Sequence, residues 1–244
     1  MESSIRKYLG WIYQNGEIAE PGGLAEGECL IEIRDDGPYS EYPIDWVKGN
    51  GILVSRCVFL MGITWEELRR QGFIYGKVVT LQGKSYLCRS LQLSNHGEWE
   101  QFVKATKEAV DWSSGHSGFY GQEFISGDGI FMPDRCSTAG HYAPEIVKAQ
   151  KTNQSDDFTG FRMVLEPITQ KRELTREDIA QPVTAYCGSI RVDGSLVEFS
   201  DYDVVIRHRK NNQMPKDFGP GIYRDDNLTV IDRQVIQHLR VGAV

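Results

Sequence analysis

The sequence predicts an α+β protein whose first part combines two helices with a twisted antiparallel sheet and whose last part is a small all-β domain. Three observations lead to this fold class. Residues 64–67 carry the pattern of a helix N-terminus. Residues 98–110 repeat apolar side chains at helical spacing. From residue 183 onward, short β-type runs alternate with turn residues, which is typical of a small sandwich or barrel-like module.

Several segments of the first part read as strands. Residues 29–33 form one β-type run, and the near-continuous apolar run at residues 52–60 fits a buried strand. Residues 78–81 and 85–91 alternate between apolar and polar side chains and flank Gln82-Gly83-Lys84. That arrangement predicts a β-hairpin.

Two helices are expected among these strands. In the first, the Thr64 hydroxyl accepts the Glu67 amide, the Glu67 carboxylate returns to the Thr64 amide, and Gly72 stops the helix. The second spans residues 98–110, and one of its faces is apolar. That face carries Trp99, Phe102, Val103, Thr106 and Val110.

A long segment, residues 113–159, shows neither helical nor strand periodicity. Loops of this length are uncommon in compact domains and are usually functional or disordered. Gly160-Phe161-Arg162 then leads into a short apolar strand that Pro167 stops. We therefore expect a functional surface on segment 113–159, held between the second helix and this closing strand.

The composition and charge limit the class of protein and of partner. Hydrophobic residues make up 40% and charged residues 25% of the 244, which is normal for a soluble globular protein. The net charge is −7, whereas a nucleic-acid-binding surface needs clustered basic side chains, so no nucleic-acid partner is expected. The start lacks an apolar signal segment, and the longest apolar run, residues 52–61, is too short for a bilayer. We expect no membrane partner and a protein that is cytoplasmic or part of a particle assembled in the cytoplasm.

The cysteines predict neither a disulfide framework nor a zinc site. They are odd in number, widely spaced and without a Cys-x-x-Cys motif. The five are Cys29, Cys57, Cys88, Cys136 and Cys187. Most of them are expected to be small core residues in a reducing compartment. We predict no cofactor.

Two short motifs carry a resemblance to a known family. They are Gly97-Glu98-Trp99-Glu100 and the closing strand at residues 160–165, and Arg89-Ser90-Leu91 is consistent with them. With the order of elements, they resemble the C-type-lectin-like fold, in the branch of formylglycine-generating (sulfatase-modifying) enzymes and of variable proteins from diversity-generating retroelements. The resemblance covers roughly residues 50–168. It implies a segment 113–159 that lies over one face of the sheet and, as in the retroelement proteins, displays side chains that bind partners.

The same resemblance implies a second reading, as an enzyme. In the formylglycine-generating enzymes, a cysteine pair binds copper and activates oxygen. Ser85-Tyr86-Leu87-Cys88 is similar to one enzyme motif, but Cys88 precedes the second helix and has no partner cysteine nearby. Cys136 is the only cysteine of segment 113–159. The sequence therefore departs from the pair that the oxidase chemistry needs.

Other chemistry in segment 113–159 stays open as an alternative. Cys136 with His116 or His141 is a candidate thiolate–imidazole pair, which requires the base within hydrogen-bond reach. Acidic side chains can also ligate calcium, although solvated loop acids are the simpler interpretation. The acids concerned are Glu123, Asp128 and Asp134. We predict no catalytic and no metal-binding residue.

The predicted function is a ligand- or protein-binding module, of phage or bacterial origin, whose ligand is a protein or a glycan. Aromatic and Arg side chains dominate interface energetics, and segment 113–159 is rich in them. The predicted ligand-binding residues are Trp112, His116, Tyr120, Arg135, His141 and Tyr142. For each aromatic residue, packing in a second core is the alternative. An enzyme of the formylglycine-generating or another loop-based type, and a structural component of a multi-subunit assembly, are the alternative functions.

Two domains are predicted. Residues 1–168 form the C-type-lectin-like domain with a β-rich N-terminal extension, and residues 169–244 form the small all-β domain. The second domain matches no family pattern. From its size and position, we expect it to attach the first domain to a larger particle or to a second copy, which would make the protein a homo-oligomer through its C-terminal domain.

Overall fold

The chain folds mostly as β-structure. The computed structural model describes residues 6–93, 98–106, 118–127, 130–140, 148–168, 173–188, 190–208, 220–225 and 227–242. Strands account for 50% of the chain and helices for 10%. The predicted α+β class, with two helices packed on a twisted antiparallel sheet, is therefore wrong. Several sheets and half-barrels carry the architecture, and the two helices are short additions to them.

The elements before residue 107 include eight strands. In chain order they are β1 (Arg6–Tyr8), β2 (Trp11–Gln14), β3 (Glu17–Ile18), β4 (Ile31–Arg34), β5 (Asp45–Gly49), β6 (Ile52–Ser55), β7 (Lys77–Leu81) and β8 (Lys84–Arg89). The helices are α1 (Trp65–Arg70), between β6 and β7, and α2 (Glu98–Thr106), after β8. Strands β3, β2 and β4 form a sheet in that order.

The capping of α1 confirms the prediction from its sequence. The Glu67 N–H donates to Thr64 Oγ1 at 3.1 Å, and the Thr64 N–H donates to Glu67 Oε2 at 2.8 Å. Gly72 follows with φ of +86°, a conformation that glycine adopts without strain and that ends the helix. Helix α2 buries Trp99 and Phe102, as its apolar stripe predicts. Neither described helix has the length and apolar content needed to cross a membrane.

Segment 113–159 contains a sheet where an irregular loop was expected. Its described strands are β9 (Gly118–Gly127), β10 (Ile130–Ala139), β11 (Lys148–Lys151) and β12 (Thr159–Gly160), in the order β11-β10-β9-β12. Strands β9 and β10 form a long antiparallel hairpin. The start of β9 is buried on both of its faces. The buried residues of β9 and its partner β10 include polar ones, namely Gln122 on β9 and Ser137 and Thr138 on β10. A strand covered on both faces, with polar side chains among the buried ones, shows no alternation of apolar and polar residues, so the sequence pattern hides it.

The closing strand predicted at residues 160–167 is divided in two. Gly160 belongs to β12, which pairs in parallel with β9, and the chain then continues into β13 (Val164–Pro167). Strand β13 lies near the centre of a six-stranded sheet of order β1-β5-β6-β13-β8-β7. Phe161, between the two strands, is fully buried in the main core, where its ring centroid is 5.5 Å from that of Phe73.

The C-terminal part forms a further six-stranded sheet. Its strands are β14 (Pro182–Cys187), β15 (Ile190–Phe199), β16 (Asp203–Arg207), β17 (Ile222–Asp225), β18 (Leu228–Asp232) and β19 (His238–Val241), in the order β17-β18-β16-β15-β14-β19. Short 3₁₀ turns occur at Arg176–Asp178 and Arg233–Val235. One face of this sheet has its own apolar core, which contains Val183, Ala185, Val192, Ile206 and Ile231. The predicted boundary between residues 168 and 169 stays a prediction, because residues 169–172 lie outside the described residues.

The other face of the C-terminal sheet packs against the first part of the chain. Tyr186 is 1% exposed although it points away from the apolar core of its own sheet. The Arg191 guanidinium donates to Gln122 Oε1 at 2.9 Å, which connects β15 to β9. Arg240 of β19 forms an ion pair with Glu166 of β13. The two parts are therefore joined by polar contacts, and we call this contact region the junction.

Candidate functional site

Four of the six predicted ligand-binding residues lie outside the described residues. They are Trp112, His116, His141 and Tyr142. The thiolate–imidazole distances from Cys136 to His116 and His141 fall outside the described residues for the same reason. Arg135 is described and half-buried on β10, where it lies opposite Lys151 of β11. Tyr120 is described as well, and its position differs from the one expected.

Tyr120 lies in the core and not on a binding surface. Its side chain is fully buried, and its hydroxyl donates to the Ile63 carbonyl at 3.1 Å. The Gln150 side-chain amide in turn donates to the Tyr120 hydroxyl at 3.3 Å. Burial raises the pKa of this phenol. The structure thus gives Tyr120 the core-packing role that was the alternative for aromatic residues of this segment.

The two cysteines considered for chemistry are both buried thiols. Cys88 and Cys136 have no exposed surface. Burial raises the pKa of the Cys136 thiol to about 12 and raises that of Cys88 as well, so both are protonated at neutral pH and are poor nucleophiles. Within the described residues, no group of three His, Cys, Asp or Glu side chains is placed to hold a metal ion.

Exposed apolar side chains indicate a different surface. Phe158, the penultimate residue of segment 113–159, is 62% exposed, and Leu24 is 58% exposed. Leu24 and Asp157, the neighbour of Phe158 in the chain, lie close to Gly62: Leu24 Cδ2 and Asp157 Oδ1 are 3.8 and 3.9 Å from the position that a Cβ on Gly62 would occupy. We call Leu24, Gly62, Asp157 and Phe158 the Leu24–Phe158 surface.

Backbone hydrogen bonds hold both sides of this surface in place. On the Leu24 side, the Met61 N–H donates to the Gly23 carbonyl at 2.8 Å, and the Ala25 N–H donates to the Met61 carbonyl at 2.6 Å. On the other side, the Gly62 N–H donates to the Thr159 carbonyl at 2.9 Å. The chain between β6 and α1 therefore fixes the two exposed apolar residues relative to each other.

Further bonds hold Phe158 itself. Its N–H donates to Asp156 Oδ1 at 2.9 Å, and its carbonyl accepts the Gly118 N–H at 2.6 Å. Because both peptide groups of Phe158 are bonded, the ring is presented from an ordered backbone. A side chain presented in this way loses less conformational entropy on binding than one on a free loop.

Exposed acidic side chains are near the two apolar residues in the sequence. Glu20 and Glu26 are exposed on the Leu24 loop, and Asp157 is exposed next to Phe158. Tyr42 adjoins the same loop, where its phenol forms a hydrogen bond with Glu20. This bond raises the pKa of the Tyr42 phenol. Both loops therefore carry exposed acidic groups in addition to their exposed apolar residue.

The sequence carries only a weak signal for this surface, and it is not among the predicted binding residues. Leu24 is the only large apolar residue in residues 19–28, and Phe158 is the only one in residues 150–159. A solitary large apolar residue within a polar, turn-rich stretch has no apolar neighbour in sequence to pack against. The loop that carries Leu24 and the loop that carries Phe158 come together only because both pair with residues 59–62. The sequence does not reveal this pairing.

The junction contains a network of charged side chains centred on the buried Arg89. Arg89 is 3% exposed in its side chain and donates to both carboxylate oxygens of Glu98 and, at 3.0 Å, to Glu166. Glu166 also pairs with Arg240 from the C-terminal sheet. An adjoining cleft of about 470 Å³ is lined by these four charged residues and by Asn50. Two arginines and two glutamates balance one another, so these groups satisfy each other and hold the two parts together.

Comparison with known proteins finds no matching family model, no similar curated protein and no similar solved structure. The resemblance to formylglycine-generating enzymes and retroelement variable proteins therefore stays a prediction.

Proposed function

We propose that this chain is a protein-binding module and that the Leu24–Phe158 surface is part of its contact surface. The observation that carries the proposal is that two large apolar side chains, each more than half exposed, belong to loops that backbone hydrogen bonds hold against Met61 and Gly62. Single exposed apolar residues are common, but neighbouring ones on a rigid support are typical of interaction sites.

The chemistry of the surface favours a protein over a glycan. Leu24 has neither a ring face for a sugar nor a hydrogen-bonding group. Phe158 offers a ring but no polar atom. The exposed acids Glu20, Glu26 and Asp157 complement a basic rim on the partner. The partner we expect is therefore a protein with an apolar pocket bordered by Lys or Arg side chains.

An array of immobilised proteins and glycans tests this proposal. We expect the purified chain to bind proteins on the array, and a Leu24→Asp, Phe158→Asp double variant to lose at least about tenfold in affinity, since buried apolar anchors dominate binding. Raising the salt concentration should weaken the same complexes. Tyr202→Asp is the matched control, because Tyr202 is 81% exposed in the C-terminal part.

The outcome of the array can contradict the proposal in two ways. Binding to glycans alone would refute a protein partner. Protein binding that the double variant and the Tyr202→Asp control retain equally would place the contact surface elsewhere. Circular dichroism and thermal melting of each variant establish that it is folded before its binding is compared.

A second candidate function, assembly through the C-terminal sheet, is favoured by the edge strand β17. Among the described strands, β17 pairs only with β18, and Tyr223 on it is 69% exposed. The Asp232 N–H donates to the Gly221 carbonyl at 2.8 Å, so alternate residues of β17 bond to β18. The peptide groups of Ile222 and Arg224 consequently point to the outer edge.

Antiparallel pairing of two copies at this edge needs these outward groups to face each other. Symmetry about Tyr223 achieves this, because it sets Ile222 opposite Arg224 of the second copy and the two Tyr223 rings opposite each other. Light scattering tests it: a dimer that Tyr223→Asp dissociates supports assembly at this edge. A monomeric wild-type chain, or a dimer that only the Leu24→Asp, Phe158→Asp variant dissociates, refutes it.

A further inference from the structure

The sheet β3-β2-β4 has an outer face, directed away from the main core. Ile12 of β2 is buried in the main core, so strand alternation turns its neighbours Trp11 and Tyr13 to the outer face. Residues 36–43, which lie between β4 and β5, pack on this outer face: a Cβ on Gly37 would be only 2.4 Å from Trp11 Cδ2.

Tyr39 is displayed to solvent from a fixed position in this segment. It is 73% exposed, and its ring packs edge-on against Trp11 with centroids 5.4 Å apart. The Glu41 N–H donates to the Pro38 carbonyl at 2.9 Å, which closes a tight turn around Tyr39. Both the ring and the backbone of Tyr39 are therefore held in place before any partner binds.

Tyr42 is the second exposed aromatic residue of the segment. It is 47% exposed and has a φ of +43°, a strained conformation that bulky residues adopt rarely and that is concentrated at functional sites. Its phenol forms a hydrogen bond with Glu20. The Ala19 N–H donates to the Ile12 carbonyl at 2.9 Å, so the pairing of β3 with β2 continues one residue further. Glu20 therefore follows at the level of Trp11, and Tyr42 comes to the same part of the outer face.

The charge of this part of the chain favours a cationic ligand. Residues 35–47 contain four acidic residues and no Lys or Arg. Glu41 is exposed between the two tyrosines in the sequence, and Glu20 is exposed at the Tyr42 end. A cation gains from the face of an exposed tyrosine ring and from a charge-assisted hydrogen bond to a nearby carboxylate.

The same face already contains the contact that an arginine ligand would form. The Arg34 guanidinium lies 4.5 Å from the centroid of the Tyr13 ring and forms an ion pair with Asp36. Tyr39 and Glu41 offer the same two groups, a ring and a carboxylate, to the solvent. A guanidinium suits them better than an ammonium, because it stacks flat on a ring while its N–H groups donate in its own plane.

A buried donor beneath the segment favours a peptide over a free cation. Trp11 is 3% exposed, and its Nε1–H has no acceptor within the part of the chain that the structure describes. An unsatisfied buried donor destabilises a protein. A peptide carries backbone carbonyls beside its arginine, and a carbonyl that reaches the indole next to Tyr39 would supply the missing acceptor.

We propose that residues 36–43 form a binding site for an arginine-bearing peptide segment of a partner protein. The guanidinium stacks on the Tyr39 ring and pairs with Glu41, and a peptide carbonyl accepts the Trp11 N–H. This site goes beyond the Leu24–Phe158 surface and does not depend on it, because its ligand is a short peptide that can be supplied on its own.

Titration with capped Gly-Arg-Gly, followed by amide and indole NMR of the full chain, tests the proposal. We expect saturable shifts at residues 37–42 and at the Trp11 indole N–H, with a Kd of about 1 mM for so small a probe. The same peptide with lysine in place of arginine should bind more weakly. With citrulline, which keeps the shape but removes the charge, binding should be weaker by about fivefold or more.

Variants of the full chain locate the site. Tyr39→Ala and Glu41→Gln should each weaken binding of the arginine peptide about two- to fivefold, as expected for one exposed cation–π contact or ion pair. Tyr39→Phe keeps the ring and should retain binding. Tyr202→Ala is the matched control, since Tyr202 is 81% exposed between Asp201 and Asp203.

Each result decides the matter. Binding that Tyr39→Ala and Glu41→Gln weaken, and that Tyr39→Phe and Tyr202→Ala retain, supports the site. The absence of saturable shifts up to about 20 mM overturns it. Equal binding of the citrulline peptide overturns the cationic class, tighter binding of the lysine peptide overturns the guanidinium, and equal shifts around Tyr202 overturn the location. The Leu24→Asp, Phe158→Asp variant should still bind the peptide, so failure of the protein array and failure of this site are told apart.

Discussion

Arg89 and Glu166 lie on neighbouring strands of the first sheet, with Arg89 Nη2 3.0 Å from a Glu166 carboxylate oxygen. Each of the two has a second partner of opposite charge: Glu98 at the start of α2 for Arg89, and Arg240 in the last strand for Glu166. The pair therefore connects a helix, the central sheet and the C-terminal sheet. The pair should therefore stabilise the fold by holding these three elements together.

Replacing Arg89 should destabilise the protein strongly. Arg89→Met removes a guanidinium that is 3% exposed and leaves the Glu98 and Glu166 carboxylates without it in a poorly solvated position. Breaking a buried ion pair on one side costs about 3–5 kcal/mol, which urea unfolding followed by fluorescence would measure. Arg34→Met, which removes an exposed ion pair with Asp36, is the control and should change little. A loss below about 1 kcal/mol for Arg89→Met would contradict the assigned role.

Tyr120→Phe should lower stability while leaving the surface unchanged. The substitution removes a buried hydroxyl that donates to the Ile63 carbonyl, and the unsatisfied acceptor costs about 1–2 kcal/mol. Thermal denaturation at fixed pH measures this loss. Tyr202→Phe, at a position 81% exposed, is expected to be neutral. Equal effects of the two substitutions would show that the Tyr120 hydroxyl is not buried in the folded protein.

Gly160→Ala should be poorly tolerated. A Cβ at this position would lie 2.5 Å from the Phe59 carbonyl oxygen and 2.8 Å from Val58 Cγ1. The Phe59 carbonyl is fixed because it accepts the Phe161 N–H at 2.7 Å, so the clash has to be relieved by moving the backbone. We expect a loss of about 2 kcal/mol or more in unfolding free energy.

The matched control for this substitution is Gly23→Ala. Its nearest neighbour would be the Glu20 carbonyl at 3.1 Å, a tight contact but a less severe one. The ratio of the two losses in urea denaturation is the quantity to compare. If Gly160→Ala were the milder of the two, β12 would not approach residue 59 as closely as described.

Stability should fall as the pH is lowered from 7.5 to 5.5. Burial lowers the pKa of both His208 and His238, and the charge of Arg224 lowers that of His208 further. Below a pH of about 6.5, the unfolded chain binds protons that these folded imidazoles resist. The histidines therefore cost stability as pH falls through the unfolded pKa, and no such loss occurs above it.

Urea midpoints at pH 7.5 and 5.5 measure this effect. In a His208→Gln, His238→Gln double variant, the decrease in urea midpoint between pH 7.5 and 5.5 should be smaller than in the wild-type chain. The decrease that remains in the variant comes from its other titrating groups. An unchanged fall in the double variant would refute the assignment to these two imidazoles.

Local signals in the sequence predict local structure well in this protein. The Thr64–Glu67 capping box, the stop at Gly72 and the hairpin around Gln82-Gly83 are all present, because each depends on contacts between residues close in sequence. The apolar stripe of α2 likewise predicts the burial of Trp99. These elements need no knowledge of the rest of the fold.

Structure that depends on distant contacts was not predicted. Strand β9 is covered on both faces, and its neighbourhood buries Gln122 and Ser137 by satisfying them: Gln122 donates to the Ser90 carbonyl at 2.8 Å, and Ser137 donates to Glu123 at 3.0 Å. In the sequence, such polar side chains are typical of loop residues, and only their distant hydrogen-bond partners allow them to be buried in a strand. The Leu24–Phe158 surface also depends on contacts between distant parts of the chain, because Leu24 and Phe158 are 134 residues apart in the sequence.

Three peptide N–H groups in the chain between β6 and α1 report on the state of that surface without any partner being known. The amides of Phe59, Met61 and Gly62 donate to the carbonyls of Phe161, Gly23 and Thr159 respectively. Their hydrogen-exchange rates therefore measure how often the Leu24 loop and the Phe158 loop detach from their common support. A ligand that orders both loops would slow exchange at all three positions together, so these amides provide a built-in assay for a partner whose identity is still to be found.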